Sequence, residues 1–384
     1  MTHAYRVAIF TETFLPRVDG IVNTLKWSLR GLVEAGWQPL VVAPQGNTQT
    51  LPGVRVIGAP SLVFPLYPEV HLGYPTADVW RSLDAFAPDV VHLAGPVTNG
   101  FGGLKYAQSR RVPVVSSYHT SLPEYARLYG LAWLVEWAWS SLRSVHNSTA
   151  VTLCPSHKTI QDLTARGFER LALWARGVDS SLFSPRLRSR AMRARLGVGG
   201  DEALVMYVGR LAREKKLDRL ASALRRIDGV RAAIVGDGPD RARLEQVFGD
   251  LPVTFTGTLR GEELASAYAS ADIFAFPSDT DTFGNVVLEA MACGVPIVAC
   301  NVGGQLDLVQ HGASGLLFEA DDTQQFAACL CQYRDEPRLR ATHAAEALHA
   351  ARERTWPRQT DVLMHHYRAA MEQAARPREL VTAA

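Results

Sequence analysis

The chain contains no run of about eighteen uncharged apolar residues, so nothing in it is built to cross a bilayer as a helix. Met1 to Phe10 has no long apolar stretch behind a basic head, so no secretory leader is expected. Cysteine is sparse. Cys154, Cys293, Cys300, Cys329 and Cys331 are odd in number and follow no metal-ligand spacing, which argues against a disulfide-stapled fold and against zinc. A reducing, cytoplasmic setting fits. Charge of one sign is also missing. Forty basic side chains against thirty-eight acidic leave +2, too little for a protein built around the nucleic-acid backbone. Among the basic residues only Lys26, Lys105, Lys158, Lys215 and Lys216 are lysine, a bias that carries no functional weight by itself. Two catalytic signatures are absent as well. No Gly-x-Ser-x-Gly elbow supplies a serine nucleophile, and Gly236-Asp-Gly238 is followed by Arg241 where the dinucleotide fingerprint needs its third glycine.

What is present reads as a globular α/β protein. The hydrophobic fraction is 47% and the charged fraction 20%, which excludes a disordered or collagen-like chain. At 384 residues, two domains are expected. Apolar runs mark strands at Arg6–Phe10, Pro39–Ala43, Val54–Ile57, Asp89–Leu93, Pro113–Tyr118, Val151–Cys154 and Leu171–Trp174. A second series lies at Leu204–Val208, Arg231–Val235, Val253–Thr256, Ile273–Phe276, Pro296–Ala299 and Gly315–Phe318. Several are continuously apolar, as parallel strands covered on both faces must be. Helical patterns between them predict doubly wound units. The rhythm breaks over Ser180–Gly200, with Pro185, five arginines and a Gly199-Gly200 pair. The expected domains are therefore 1–185 and 186–355, with a helix at 356–376 returning to the first. Two such domains facing each other leave a cleft at the carboxyl ends of their strands.

The richest stretch is Pro277-Ser-Asp-Thr-Asp-Thr-Phe-Gly-Asn-Val-Val-Leu-Glu-Ala-Met-Ala-Cys-Gly-Val-Pro296. A strand ends in a polar turn and a helix begins near Phe283-Gly284, with Gly294 placed to close it. Free amides at such a helix start attract a phosphate. Asp281 before the helix and Glu289 two turns inside it lie roughly 12 Å apart at helical rise. That spacing suits a sugar, a diphosphate and a ribose; equally, it describes an N-cap and a solvated glutamate. In Val208-Gly-Arg-Leu-Ala-Arg-Glu-Lys-Lys216, Arg210 follows Gly209 at a strand end and Lys215 comes five residues later. The pair can hold two phosphates, or simply start the next helix as solvated charges.

Other features stay two-sided. Asp279-Thr-Asp281 imitates a divalent-metal motif, although two aspartates before a helix are common. His119, at a strand end, either reaches a cleft or packs. Glycine turns at Asp19-Gly20, Gly236–Pro239 and Val302–Gly304 are tight, or let a ligand approach. Tyr125, Tyr129, Trp133, Trp137 and Trp139 crowd one segment, flanked by Arg127 and Arg143. Trp133 and Trp137 share a helix face that is either core or a membrane-interface surface.

Taken in order, Phe14-Leu-Pro-Arg-Val-Asp-Gly-Ile-Val22, Tyr118-His-Thr120, Arg176-Gly-Val-Asp179, Gly209-Arg210 and Asp281 to Gly294 resemble glycosyltransferase family 4. These are retaining nucleotide-sugar transferases with the two-domain GT-B fold. Tyr118–Pro185 is most similar to the glycolipid-forming branch of sulfolipid synthases and bacterial α-mannosyltransferases. The resemblance implies that Arg210 and Lys215 grip the donor diphosphate, that Glu289 binds the ribose, and that Asp281 touches the transferred sugar. Phe283, Gly284 and Asn285 complete the phosphate and sugar site, Gly209 and Gly20 admit the phosphates, Leu259 lines the base pocket, and His119 meets the sugar. It further implies a UDP- or GDP-sugar donor, front-face transfer without a metal or other cofactor, and a lipid acceptor met at the inner face of the plasma membrane by Trp133 and Trp137. A soluble or polysaccharide acceptor, or a nucleotide-sugar-binding protein without catalysis, are the alternatives. The chain departs from the family at Asp281, where glutamate is usual; one methylene fewer bears on donor-sugar choice.

Overall fold

Strands and helices alternate through two parallel sheets in the computed structural model, which describes residues 4–17, 19–46, 48–64, 67–95, 97–119, 132–200 and 202–376. The chain divides into two units, Met1–Ala175 with Trp356–Ala384, and Arg176–Thr355. The first contains β1 (Arg6–Phe10), β2 (Gln38–Pro44), β3 (Arg55–Ala59), β4 (Ser61–Phe64), β5 (Tyr67–Gly73), β6 (Val90–Leu93), β7 (Val114–Ser117), β8 (Val151–Cys154) and β9 (Leu171–Leu173). Seven of these form one sheet in the order β3-β2-β1-β6-β7-β8-β9, with every neighbouring pair parallel. Strand alternation distributes β1 between two cores. Val7 and Ile9 pack on one face with Leu25 and Leu29, while Ala8 and Phe10 pack on the other with Leu83 and Leu104.

The second unit holds β10 (Ala203–Val208), β11 (Val230–Val235), β12 (Val253–Gly257), β13 (Ile273–Phe276), β14 (Ile297–Cys300) and β15 (Gly315–Phe318). They pair in the order β12-β11-β10-β13-β14-β15. Both sheets thus reverse their strand order once, between β1 and β6 and between β10 and β13. At such a switch point the loops at the carboxyl ends run to opposite sides and leave a crevice.

Two expectations need correction. The antiparallel pair β4–β5 was not foreseen, because Pro65 and Pro68 punctuate Ser61–Gly73 and read as breaks rather than strand. The boundary falls between Ala175 and Arg176, not at 185/186. Phe183 explains why: it is buried with its ring edge-on to Tyr268 at 5.8 Å, which commits the preceding segment to the second unit.

The Trp356–Ala375 helix belongs with the first unit. Trp356 stacks on Trp27 at 6.0 Å and 6°, and Trp174 Nε1 donates to the Gln359 carbonyl at 3.0 Å. A β-carbon on Gly31 would lie 2.5 Å from Thr360 Oγ1, so glycine is what lets the two helices close. Leu363, Met364 and Tyr367 complete the core beneath β1 and β7. Trp356→Ala is expected to cost about 3–5 kcal/mol, the usual range for a buried tryptophan. A denaturation midpoint equal to the parent's would show that this docking contributes nothing.

Candidate active site

The crevice at β10 and β13 gathers most of the anticipated residues. Gly209 and Arg210 follow β10 directly, and Tyr207 Oη donates to the Arg210 carbonyl at 3.1 Å. A short 3-10 turn, Arg213–Lys215, then delivers Lys215. Its Nζ meets Asp281 Oδ1 at 2.7 Å, with the two side chains only 16% and 22% exposed. Thr280 Oγ1 adds a bond to the Glu214 carbonyl at 3.3 Å. The loops after β10 and β13 are therefore stitched together at their tips.

The Asn285–Ala292 helix starts at Gly284, which has φ +95°, and no side chain caps it. Its first amides are thus left for another acceptor. Around this start stand side-chain oxygens that are buried without a hydrogen-bond partner among the described residues: Ser278 Oγ, Asp281 Oδ2, Asn285 Oδ1 and Gln305 Oε1. Buried polar atoms are nearly always satisfied, so this concentration marks a place shaped for a polar ligand. Acceptors next to free amides and a lysine suit a molecule bearing hydroxyls and an anion. Phe283 is buried beside them.

Glu289 sits deeper. It accepts from Tyr268 Oη at 2.9 Å, and burial pushes its carboxyl up to about 7 against that bond. It is neither the solvated glutamate of the plain reading nor part of the Lys215–Asp281 pair. Leu259 is buried just beyond β12, before the Gly261–Ser270 helix.

Three supports were not legible in the sequence. Gln305 Nε2 donates to the carbonyls of Ser278 and Cys300, each at 3.0 Å, and to that of Val302, fixing the loop from below. Arg219 binds the Pro277 carbonyl at 3.0 Å, Asp279 at 2.8 Å and Asp321 at 2.9 Å. Tyr268 fixes Glu289. Only the position of Arg219 just past the loop after β10, at the switch point, could have flagged it. The glycine turns answer the question left open. A β-carbon on Gly304 would strike the Thr282 carbonyl, and one on Gly236 the Gly209 carbonyl. These glycines let neighbouring loops nest on the two site loops, so they shape the site from behind.

Asp279 and Asp281 hold Arg219 and Lys215 respectively, so each already has a cationic partner. Among the described residues no group of three or more His, Cys, Asp or Glu could hold a metal ion.

His119 and Gly20 belong to the first unit, at its own switch point. There a cavity of about 90 Å³ is lined by Thr11, Glu12, Thr13, Ser117, His119 and His146, among others. His119 Nε2 lies 2.7 Å from Ser117 Oγ. Glu12 was not anticipated. It accepts from the Asn99 and Gly100 amides at 2.7 and 3.2 Å, yet burial lifts its carboxyl to about 7. Burial also drives the His146 imidazole down to about 3. Gly20 opens the Gly20–Glu34 helix, where Asp19 Oδ1 accepts from Ile21 and Val22 at 2.9 and 2.8 Å.

The aromatic segment splits. Trp139 is buried with the Arg166 guanidinium 4.0 Å over its ring, whereas Trp133 and Trp137 are 77% and 69% exposed. Tyr125, Arg127 and Tyr129 lie outside the described residues. Among the described residues no helix is long and apolar enough to cross a membrane.

Two doubly wound parallel sheets, each carrying polar groups at its switch point, are the architecture of the GT-B fold. The chain is similar to sucrose-phosphate synthase from Thermosynechococcus elongatus, with a TM-score of 0.79 at 20% identity, covering 96% of this chain and 100% of that one. That likeness is one of fold. Residues 18–182 match the model described as Glycosyltransferase Family 4, and residues 202–335 that described as Glycosyl transferases group 1. A GDP-mannose-dependent alpha-mannosyltransferase of Mycobacterium tuberculosis is 40% identical over 371 residues, 95% of this chain and 96% of that protein. Sulfoquinovosyl transferase SQD2 of Arabidopsis thaliana is 40% identical over 329 residues, 83% of this chain and 64% of that protein. The chain belongs to the family 4 glycosyltransferases.

The Glu289 carboxyl gives a pH test. Its value is about 7 when folded against 4.5 ordinarily. Between those values the folded chain keeps a proton that the unfolded chain has released, so this group's stabilising contribution is lost as pH rises across the window. Glu289→Gln removes the titration. Its melting temperature relative to the parent, measured at each pH so that Glu12 and His146 cancel, is expected to rise from pH 4.5 to 7 and then level off. A flat difference would mean that the carboxyl ionises normally.

Proposed function

We propose that this enzyme moves a hexosyl group from a UDP- or GDP-sugar to a hydroxyl of a membrane glycerolipid or glycolipid, with retention and without a metal. The observation that carries the reading is the Lys215–Asp281 pair beside an uncapped helix start ringed by unpartnered buried oxygens.

Arg210 and Lys215, with the Phe283–Asn285 backbone, take the diphosphate. Cations and oriented amides aimed at the departing oxygen are worth most in the transition state, when its charge grows. Asp281 Oδ2 and Asn285 Oδ1 accept hydrogen bonds from sugar hydroxyls, and His119 meets the sugar from the first unit. Glu289 takes the ribose hydroxyls, Leu259 lines the base, and Gly209 and Gly20 admit the phosphates. The bond from the anomeric carbon to phosphate oxygen breaks as the bond to the acceptor oxygen forms on the same face. The acceptor's proton passes to the departing diphosphate. A metal is not needed, because the cationic side chains and helix dipole carry the leaving-group charge. The aspartates that mimic a metal motif are committed to Lys215 and Arg219.

Relatives named for GDP-mannose and sulfoquinovosyl transfer support a nucleotide-sugar donor. The lipid acceptor is supported by Trp133 and Trp137, two large exposed indoles of the kind that partition into a membrane interface. Peripheral binding at the inner face of the plasma membrane follows from that reading.

Arg210→Ala and Lys215→Ala are each expected to lower turnover by about 100- to 1000-fold. Parent-like turnover in both would remove the leaving-group role. Activity is expected to survive EDTA; abolition restored by manganese would return the metal reading to Asp279 and Asp281. With anionic liposomes the parent is expected to pellet and Trp133→Ala/Trp137→Ala to stay in solution. Equal, negligible pelleting of both would overturn the membrane acceptor.

A further inference from the structure

His119 stands at the end of a buried hydrogen-bond chain that begins on the C-terminal helix. Tyr367 Oη lies 2.7 Å from His92 Nδ1, His92 Nε2 lies 2.9 Å from Ser117 Oγ, and Ser117 Oγ lies 2.7 Å from His119 Nε2. His92, Ser117 and Tyr367 are completely buried. A second arm comes from the same helix. Trp174, pinned to the Gln359 carbonyl, sets its ring edge-on to His92 at 5.9 Å and to His119 at 6.1 Å.

Counting protons gives the chain a direction. Among the described residues the Tyr367 hydroxyl has only the His92 ring as hydrogen-bond partner. If His92 Nδ1 carried a proton and donated it, the tyrosine's own proton would be buried with no acceptor, an uncompensated cost. The satisfied arrangement has Tyr367 donating to Nδ1. His92 then carries its proton on Nε2 and donates it to Ser117 Oγ. The serine's single proton goes on to His119 Nε2, which accepts. In a neutral His119 the proton therefore resides on Nδ1, because the partner of one ring nitrogen decides the state of the other.

We propose that Tyr367, His92 and Ser117 are positioning residues that set the His119 tautomer, so that the ring meets the donor sugar as an Nδ1–H donor. This rests on the reading of His119 as a sugar contact. The three residues come from the C-terminal helix, β6 and β7, and none touches substrate in this scheme.

Long-range ¹H–¹⁵N NMR of the full chain reads both ring nitrogens directly. It is recorded near pH 8, well above the ordinary histidine value of about 6.5, and the His119 signals are assigned by their loss in His119→Gln. The parent is expected to show Nδ1 protonated and Nε2 unprotonated. Ser117→Ala, which removes the last link, and Tyr367→Phe, which removes a single oxygen, are each expected to shift population to the other tautomer. Each is also expected to lower kcat/KM by about three- to tenfold, the value of one ordinary hydrogen bond. An Nε2-protonated ring in the parent, or an unchanged signature in both variants, would overturn the relay. Parent-like kcat/KM in His119→Ala would overturn the sugar contact instead, and the tautomer measurement would still decide the relay.

Discussion

Lys215 and Asp281 are 66 residues apart and meet at 2.7 Å because β10 and β13 are neighbours in the sheet. Everything else in the second unit's site hangs on that adjacency. A parallel sheet that reverses its strand order sends the loops after its two central strands apart, and the crevice between them is where charge can be gathered without interrupting the core. The ion pair spans this crevice. It holds the cation-bearing loop against the loop that starts the Asn285–Ala292 helix. The pair is only partly shielded, and surface-like pairs stabilise little. Its importance is geometric, since it keeps an ammonium and a carboxylate side by side at the strand ends.

The same constraint explains which residues could be read from the sequence. Arg210 follows its strand end, Lys215, Asp281 and the Phe283–Asn285 helix start come within one loop of theirs, and a strand end followed by a polar turn is a local pattern. The strands themselves were legible because buried parallel strands are continuously apolar. What stayed hidden acts across long separations. Gln305 holds Ser278 across 27 residues, Arg219 holds Asp279 across 60, and Tyr367 reaches His92 across 275. No periodicity carries such information. Glu12 was missed for a different reason. A glutamate after a first strand has no distinctive spacing, and its meaning comes from the Asn99 and Gly100 amides it caps. The glycines were seen, but their reason was not: Gly236 and Gly304 make room for neighbouring backbone.

Asp281 shows how a departure from the family pattern is absorbed. A shorter arm keeps the carboxylate near the backbone, where Oδ1 reaches Lys215 and Oδ2 remains buried and unpartnered. A glutamate here would carry both oxygens further from the loop. The change therefore alters both the Lys215 pairing and, on the proposed reading, the depth at which a sugar hydroxyl is met.

The two units invest their buried polar groups differently. In the first, His119 is tied through Ser117 and His92 to Tyr367 in a continuous hydrogen-bond chain, which on our proposal fixes the ring in one state. In the second, acceptors around the helix start are left open while the groups behind them, Gln305 Nε2 and the Arg219 guanidinium, are fully engaged. An unsatisfied buried oxygen costs stability, and a fold keeps several together only where something recoups that cost. Rigid supports behind, open acceptors in front, and a helix start without a cap amount to a preorganised polar surface, which the proposed reading assigns to hydroxyls and phosphate. Because the supports are already paired, binding at these acceptors needs little rearrangement of the loops, and on the proposed reading its interaction energy remains available for the step in which the anomeric bond breaks.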